Sequence, residues 1–319
     1  IKSLDLISLI IPEAYGGIGL KQDSISNALA LEALAYGDLS LAMSASIPLL
    51  TAQIIAEHGS EEQQAELLPE LASGSIFHVG LGINNASLAT DPYQSSVLAK
   101  ESGKEIILNG SKTGIAFADE AKTFLISASN ESGECNLYFI NKDQDGVELE
   151  EKEFMGLKGA PLSQINLSNC KIDVSQKLGG HNYSLNYQSL VDSSRIGMSA
   201  LALGVCQAVL DYVVPYTNER VAFDEPISNR QSVAFMIADM AIETEALRLM
   251  VYKSAVLKDL DEDFHKQASL TYRFATHHGM KIGTDGVQLL GGHGFTHEHP
   301  VELWYRNLRA IGIFEGGAG

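Results

Sequence analysis

After Gly179-Gly180 three apolar patterns at helical spacing fill most of the remaining chain, over roughly residues 188–217, 229–257 and 264–290, divided only by Pro226 and the acidic stretch Asp259–Asp263. Helices this long with links this short must run back alongside one another, so the pattern predicts an antiparallel bundle. The chain before them changes period twice. From about Ser24 to Gly74 apolar residues such as Leu29, Leu31, Leu34, Ile54 and Ile55 recur at helical spacing, and Ser60-Glu61-Glu62-Gln63 after Gly59 has the pattern of a capping box. Between about Ile76 and Leu178 the runs become short and rich in Val, Ile, Phe and Tyr, and Asn109-Gly110 predicts a hairpin turn. The expected fold is α+β in three units: an N-terminal helical domain over 1–75, a β barrel or sandwich over 76–178, and an antiparallel four-helix bundle over 179–319. Gly16-Gly17 predicts a tight turn in a structural loop.

A chain of 319 residues with 45% hydrophobic content can build the cores that such a fold requires. Its formal charge of -18 would repel a phosphate backbone, and no basic run with interleaved aromatics offsets it, which argues against nucleic acid as a partner. Cys135, Cys170 and Cys206 are widely spaced and odd in number, so neither a disulfide framework nor a zinc site is expected, and they read as buried thiols in a reducing compartment. No apolar run in the sequence reaches the roughly 20 residues of a membrane span, and the opening residues lack the basic start of a signal peptide. A cytoplasmic protein is expected, with both ends of the chain trimmed or disordered, since residue 1 is not Met.

Chemistry concentrates near residue 315. Glu315 is flanked by Ile313 and Phe314 on one side and by Gly316 and Gly317 on the other. An apolar setting raises the proton affinity of a carboxylate, and glycines allow close approach, so Glu315 is a candidate general base. His293, His297 and His299 with Glu298 and Glu302 invite a metal reading, but Gly292, Gly294 and Pro300 break the helix that would align them, and they read better as loop residues.

The stretch from Gln288 to Glu315 resembles the C-terminal signature of the acyl-CoA dehydrogenases. Gln288, Gly291-Gly292, Gly294, Pro300-Val301-Glu302, Arg306 and Glu315 stand in the family's order and spacing. Near the start, IIPEAYGGIGL resembles the family's Pro-Glu-x-Tyr-Gly-Gly element, and HGSEEQQAELLPELASGS resembles the segment after its first helices, so the resemblance covers nearly the whole chain. It implies an acyl-CoA dehydrogenase of fatty acid metabolism: an FAD flavoprotein oxidising an acyl-CoA thioester, with Glu315 as the base, and with no metal. It also implies a homo-oligomer, dimer or tetramer, and admits an electron-transfer flavoprotein as partner.

Further residues take roles only from this resemblance. Arg220, Phe223 and Gln231 match an element that clamps the FAD pyrophosphate of a neighbouring subunit, with Gln288, Gly291 and Gly292 contacting the same dinucleotide, and Thr90 keeps a hydroxyl of a loop that holds the flavin. Asp192, Arg195, Phe314 and Gly316 are implied on the substrate side. Read from the residues alone, Thr90-Asp91 fits an Asx or Ser/Thr turn equally well, and Arg195 fits a surface salt bridge. Where the family carries Trp and Thr or Ser beside the flavin this chain has Gly114 and Ala116, and Asp224 replaces a glycine. These departures keep two alternatives open: a flavin oxidase or monooxygenase on the same fold, and a catalytically degenerate structural paralogue with weak flavin binding.

Overall fold

The structure, a computed structural model, describes residues 6–20, 23–75, 77–87 and 91–315. A short helix α1 (Leu6–Ile10) precedes three that pack together, α2 (Ser24–Gly37), α3 (Leu39–His58) and α4 (Glu61–Ala72). Each begins where a side chain satisfies backbone N–H groups that the first turn leaves unpaired. Asp23 caps α2, Asp38 caps α3, and Ser60 with Gln63 forms the expected capping box of α4. Gly16, at φ 88°, ends the turn over Glu13–Tyr15, as the Gly-Gly pair suggested.

Seven strands follow: β1 (Val79–Gly82), β2 (Leu98–Ser102), β3 (Glu105–Ala116), β4 (Thr123–Ser129), β5 (Cys135–Asn141), β6 (Val147–Lys152) and β7 (Leu162–Asp173). They form one sheet in the order β1-β4-β2-β3-β7-β6, with β5 paired to β4. Ile106, Leu108, Phe124, Ile126, Tyr138, Ile165 and Leu167 close a core of their own between its faces.

The expected hairpin at Asn109-Gly110 is corrected. Both residues lie inside β3, and the β2–β3 turn falls at Gly103-Lys104, since Ser102 pairs with Glu105. Gly110 instead marks a register shift against β7 between Leu108 and Gly110. Its φ is 136°, and a Cβ there would meet Ser96 O at 2.4 Å and Val97 Cα at 2.8 Å. An Asn-Gly pair marks a left-handed backbone as readily in a bulge as in a turn, and only the tertiary approach of residues 96–97 decides between them.

The C-terminal helices are α5 (Tyr187–Glu219), α6 (Gln231–Asp259), α7 (His265–Leu290) and the shorter α8 (Val301–Ile311). Between α5 and α6 a two-residue hairpin pairs β8 (Val221–Ala222) with β9 (Glu225–Pro226), and its turn residues Phe223 and Asp224 both have positive φ, 58° and 68°. That geometry is the turn a tight hairpin favours, and Asp tolerates it where a glycine would otherwise serve. One large core joins α2 and α3 to α5, α6, α7 and α8 through residues such as Met43, Leu201, Leu247, Tyr272 and Leu308.

Contrary to the expectation that no run is long enough, α3 and α5 have the length and apolarity to cross a membrane. Of their apolar windows 61% and 72% lie buried in this fold, and a helix covered on most sides by protein needs that composition. The three cysteines are buried and unpaired, as expected.

Gly110→Ala should cost about 2 kcal/mol or more, the scale of forcing a side chain into a packed site, and a thermal or urea unfolding comparison with the wild type measures it.

Candidate active site

Glu315 lies where the β domain meets the C-terminal helices, and it is only 4% exposed. Its main chain is gripped from both. The N–H of Glu315 donates to Asn84 Oδ1 at 2.9 Å, just after β1, and its carbonyl accepts from Arg195 Nη2 at 3.0 Å and Nε at 3.3 Å, on α5. Tyr272 Oη, on α7, donates to the Phe314 carbonyl and to that of Ile311. These bonds hold Glu315 at φ 49°, a left-handed conformation that a non-glycine residue keeps only when its surroundings impose it.

The carboxylate itself accepts one hydrogen bond, from Ser194 Oγ to Oε1 at 2.8 Å, and among the described residues Oε2 has none. Burial in a water-poor setting pushes its pKa up to about 7, against the opposing pull of the Ser194 hydroxyl and of the Arg195 and Lys112 charges. Ser194 thus places a hydroxyl beside the Glu315 carboxylate, where the sequence carries no second carboxylate.

Arg195 is not the surface salt bridge that its composition allowed. Its guanidinium donates to Tyr93 Oη and to Ser269 Oγ at 2.9 Å as well as to Glu315, and lies 3.9 Å from Asp192. Asp192, 1% exposed, accepts from Tyr93 Oη at 2.7 Å and pairs with His265 Nδ1 at 2.8 Å. Its oxygens are therefore engaged by protein groups, and it positions Tyr93 and His265. Asp91 forms the expected Asx turn, accepting the Tyr93 N–H at 3.0 Å. Thr90 and Gly316 lie outside the described residues.

Lys112 was not singled out in the sequence. It is fully buried on β3, with Nζ donating to Ile83 O at 3.1 Å and Asn85 Oδ1 at 2.8 Å, and burial lowers its pKa to about 7. It braces the segment whose neighbour Asn84 holds Glu315. The alternation that buries Ile106 and Leu108 breaks at the bulge, and residues 112–116 are all buried, so it did not point to Lys112. Asn84, Tyr93 and Tyr272 carry no local signal either, because their partners are remote in sequence.

Phe314 accounts for Gly114. A Cβ at residue 114 would lie 3.1 Å from Phe314 Cε1, and the φ of Gly114 is 71°. Ala116 belongs to the same core as Phe314. A side chain at 114 would therefore press on the Phe314 ring from a left-handed backbone.

Arg220, Phe223, Gln231, Gln288, Gly291 and Gly292 come together elsewhere, at the end of the bundle where α5 and α7 finish and α6 begins. Tyr216 and His293, joined at 2.9 Å between ring nitrogen and hydroxyl, tie the two helix ends. All six residues are exposed, Phe223 to 88%, and Arg220 forms no ion pair among the described residues. Nothing lies within 4 Å of a Cβ built on Gly291 or Gly292, so their backbone is open to a ligand. His299 bonds Tyr212 at 2.7 Å, consistent with loop histidines tied to the bundle. From Ser194 to Arg220, which caps α5, the helix rises about 39 Å at roughly 1.5 Å per residue.

Three family descriptions match the chain: the acyl-CoA dehydrogenase N-terminal domain over residues 1–75, the middle domain over 84–170 and the C-terminal domain over 186–318. The chain belongs to the acyl-CoA dehydrogenase family. The Mycobacterium tuberculosis protein named probable acyl-CoA dehydrogenase FadE25 is 32% identical, covering 96% of this chain and 80% of that one. Butyryl-CoA dehydrogenase from Megasphaera elsdenii superposes with a TM-score of 0.85 at 29% identity, covering 99% of this chain and 85% of that one. A glutaryl-CoA dehydrogenase from Mycobacterium smegmatis, solved in complex with FADH2, gives 0.86 at 25% identity, covering 99% and 81%. The acyl-CoA dehydrogenase architecture read from the sequence, helices then strands then a helical bundle, is the one observed.

Gly114→Trp, which the family pattern would suggest as a restoration, should instead destabilise the protein by about 2 kcal/mol or more through overpacking and a left-handed backbone. Thermal unfolding of the variant, alone and with Ala116→Thr, checks this.

Proposed function

We propose that the chain catalyses FAD-dependent α,β-dehydrogenation of an acyl-CoA thioester, with Glu315 as general base. The observation that carries this reading is the buried Glu315 carboxylate, held by main-chain bonds, with one oxygen unbonded among the described residues and its pKa raised to about 7. A base of that strength suits an α-carbon acidified by a neighbouring thioester and works near neutral pH. Glu315 Oε2 takes the α-proton, a hydride leaves the β-carbon, and the electrons of the α C–H bond form the new double bond. FAD, when bound, supplies the hydride acceptor. Arg195 fixes the base by its carbonyl, Ser194 orients the carboxylate, and Phe314 with the apolar core keeps water away.

The residues present fit the dinucleotide. Arg220 offers an exposed planar guanidinium, without an ion pair among the described residues, for pyrophosphate oxygens, Gly291 and Gly292 an open backbone, Gln231 and Gln288 exposed amides, and Phe223 an exposed ring. About 39 Å along α5 separates this set from Glu315, so both can serve one cofactor only if they come from different copies of the chain. Phe235, Ile242, Leu249 and Val256, exposed at seven-residue intervals along α6, provide an apolar face for such an association. The Asp224 and Gly114 departures, which left a degenerate paralogue open, have local explanations in the hairpin turn and the Phe314 ring.

Glu315→Gln should bind flavin and acyl-CoA yet slow anaerobic flavin bleaching at least about 10²-fold in stopped flow, the lower scale for a positioned base. Only the ionised base accepts a proton. Because burial raises the pKa of Glu315, the wild-type rate should therefore climb with pH through about 7 and level above it, and the Gln variant should lack that limb. A wild type reduced by no acyl-CoA would reject the reading.

Arg220→Ala should weaken FAD binding by about 2 kcal/mol, the scale of a charge-assisted bond, and light scattering of the flavin-loaded wild type should find a dimer or a dimer of dimers. Unchanged affinity, or a stable monomer retaining FAD, would reject the shared site.

A further inference from the structure

Residues of α1, α2, α3, α5 and the end of α6 line a half-open cavity of about 530 Å³. Ser194 links it to the site: it lines the cavity, and its hydroxyl donates to Glu315 Oε1 at 2.8 Å. One residue therefore separates this space from the proposed base. Toward Asn186 the lining turns polar, with Gln53, Glu57, His58 and Lys258, whereas toward Leu201 it is formed by Leu31, Leu34, Ile47, Met198 and Leu201. An apolar stretch leading away from Ser194 is suited to hydrocarbon, since burying each methylene there removes it from water.

We infer that this cavity receives the tail of a medium- to long-chain acyl thioester, which makes the preferred substrate one of about ten carbons or more rather than a butyryl-sized group. The inference rests on the dehydrogenase reading above and adds the class of acyl chain to it. Two independent measures give the length. From Ser194 to Leu201 the cavity wall on α5 rises about 10 Å at roughly 1.5 Å per residue. An extended chain advances about 1.3 Å per carbon, given a C–C bond of about 1.5 Å, so this wall alone accommodates some eight carbons beyond those at the base. Volume agrees. Some 530 Å³ falls within the roughly 300–1,000 Å³ of sites that enclose drug-sized ligands, whereas four carbon groups at about 30 Å³ each, the share of a water molecule, would leave most of it unfilled. The apolar part of the cavity, left largely empty, forgoes dispersion contacts that a longer chain would make.

Gly197 offers a way to shorten the cavity. It lines the space on α5, and a Cβ there would meet only Leu31 Cδ1, at 3.4 Å, which is ordinary contact. A leucine at this point extends into the cavity and improves helix propensity, so the fold should tolerate it.

The test is kcat/KM of the flavin-loaded enzyme with straight-chain saturated acyl-CoAs of four, eight, twelve and sixteen carbons, followed by flavin bleaching with an artificial acceptor. We expect the twelve-carbon substrate to exceed butyryl-CoA at least tenfold, and Gly197→Leu to move the optimum to shorter chains, with at least a tenfold loss at twelve carbons relative to four. Butyryl-CoA turned over as well as or better than the twelve-carbon substrate would overturn the inference while leaving the dehydrogenase reading intact. So would an unchanged chain-length profile in folded Gly197→Leu, judged by its thermal unfolding. Failure of every chain length to reduce the flavin would remove the dehydrogenase reading, and this inference with it.

Discussion

The grip on the Phe314–Glu315 main chain is the interaction on which the rest depends. Hydrogen bonds from three residues in three places of the fold converge on these two residues: Asn84 after β1, Arg195 on α5 and Tyr272 on α7. Each donor or acceptor is itself fixed. Lys112 braces the segment carrying Asn84, while Tyr93 and Asp192 frame Arg195. Helical and β domains have to be docked in register for all three to close at once, so the site is also a record of correct assembly. A carboxylate taken out of water resists ionisation, and a flexible segment would relieve that cost by swinging outward. Backbone anchoring on both sides prevents it.

Long helices supply the reach. α5 carries Ser194 and Arg195 near its start and leads to Arg220 at its end, so a single rigid element fixes the distance between Glu315 and the exposed glycine-rich end of the bundle. The buried face of α5 explains its apolarity. Residues from Leu190 to Val213 are enclosed by α2, α6 and α7, and such a helix carries the composition of a membrane span because protein surrounds it on most sides.

Much of this was legible in the sequence because it depends on local rules. The periods separated helices from strands, the Ser60–Gln63 box started α4 where it should, and the apolar flank with glycines singled out Glu315. What escaped depends on contacts across the fold. Asn109-Gly110 read as a turn, since nothing local distinguishes a hairpin from a bulge pressed against residues 96–97. Gly114 read as a loss because Phe314, two hundred residues later, is what fills the space. Asn84, Tyr93 and Tyr272 are ordinary residues in sequence and take their place around Glu315 only through partners about 40 to 230 positions away. Lys112 was equally hidden, because the register shift at Leu108–Gly110 ends the strand alternation before it.

Arg195 and Asn84 bind the carbonyl and the N–H of residue 315, atoms that every amino acid other than proline possesses. The clamp is therefore indifferent to the side chain it presents. At φ 49° an asparagine or glycine would sit there at least as comfortably as glutamate. Evolution could accordingly exchange the reactive group at this position in one step, without re-engineering its mount, and divergent chemistries could arise from a shared socket in which the scaffold is inherited and the tool is replaceable.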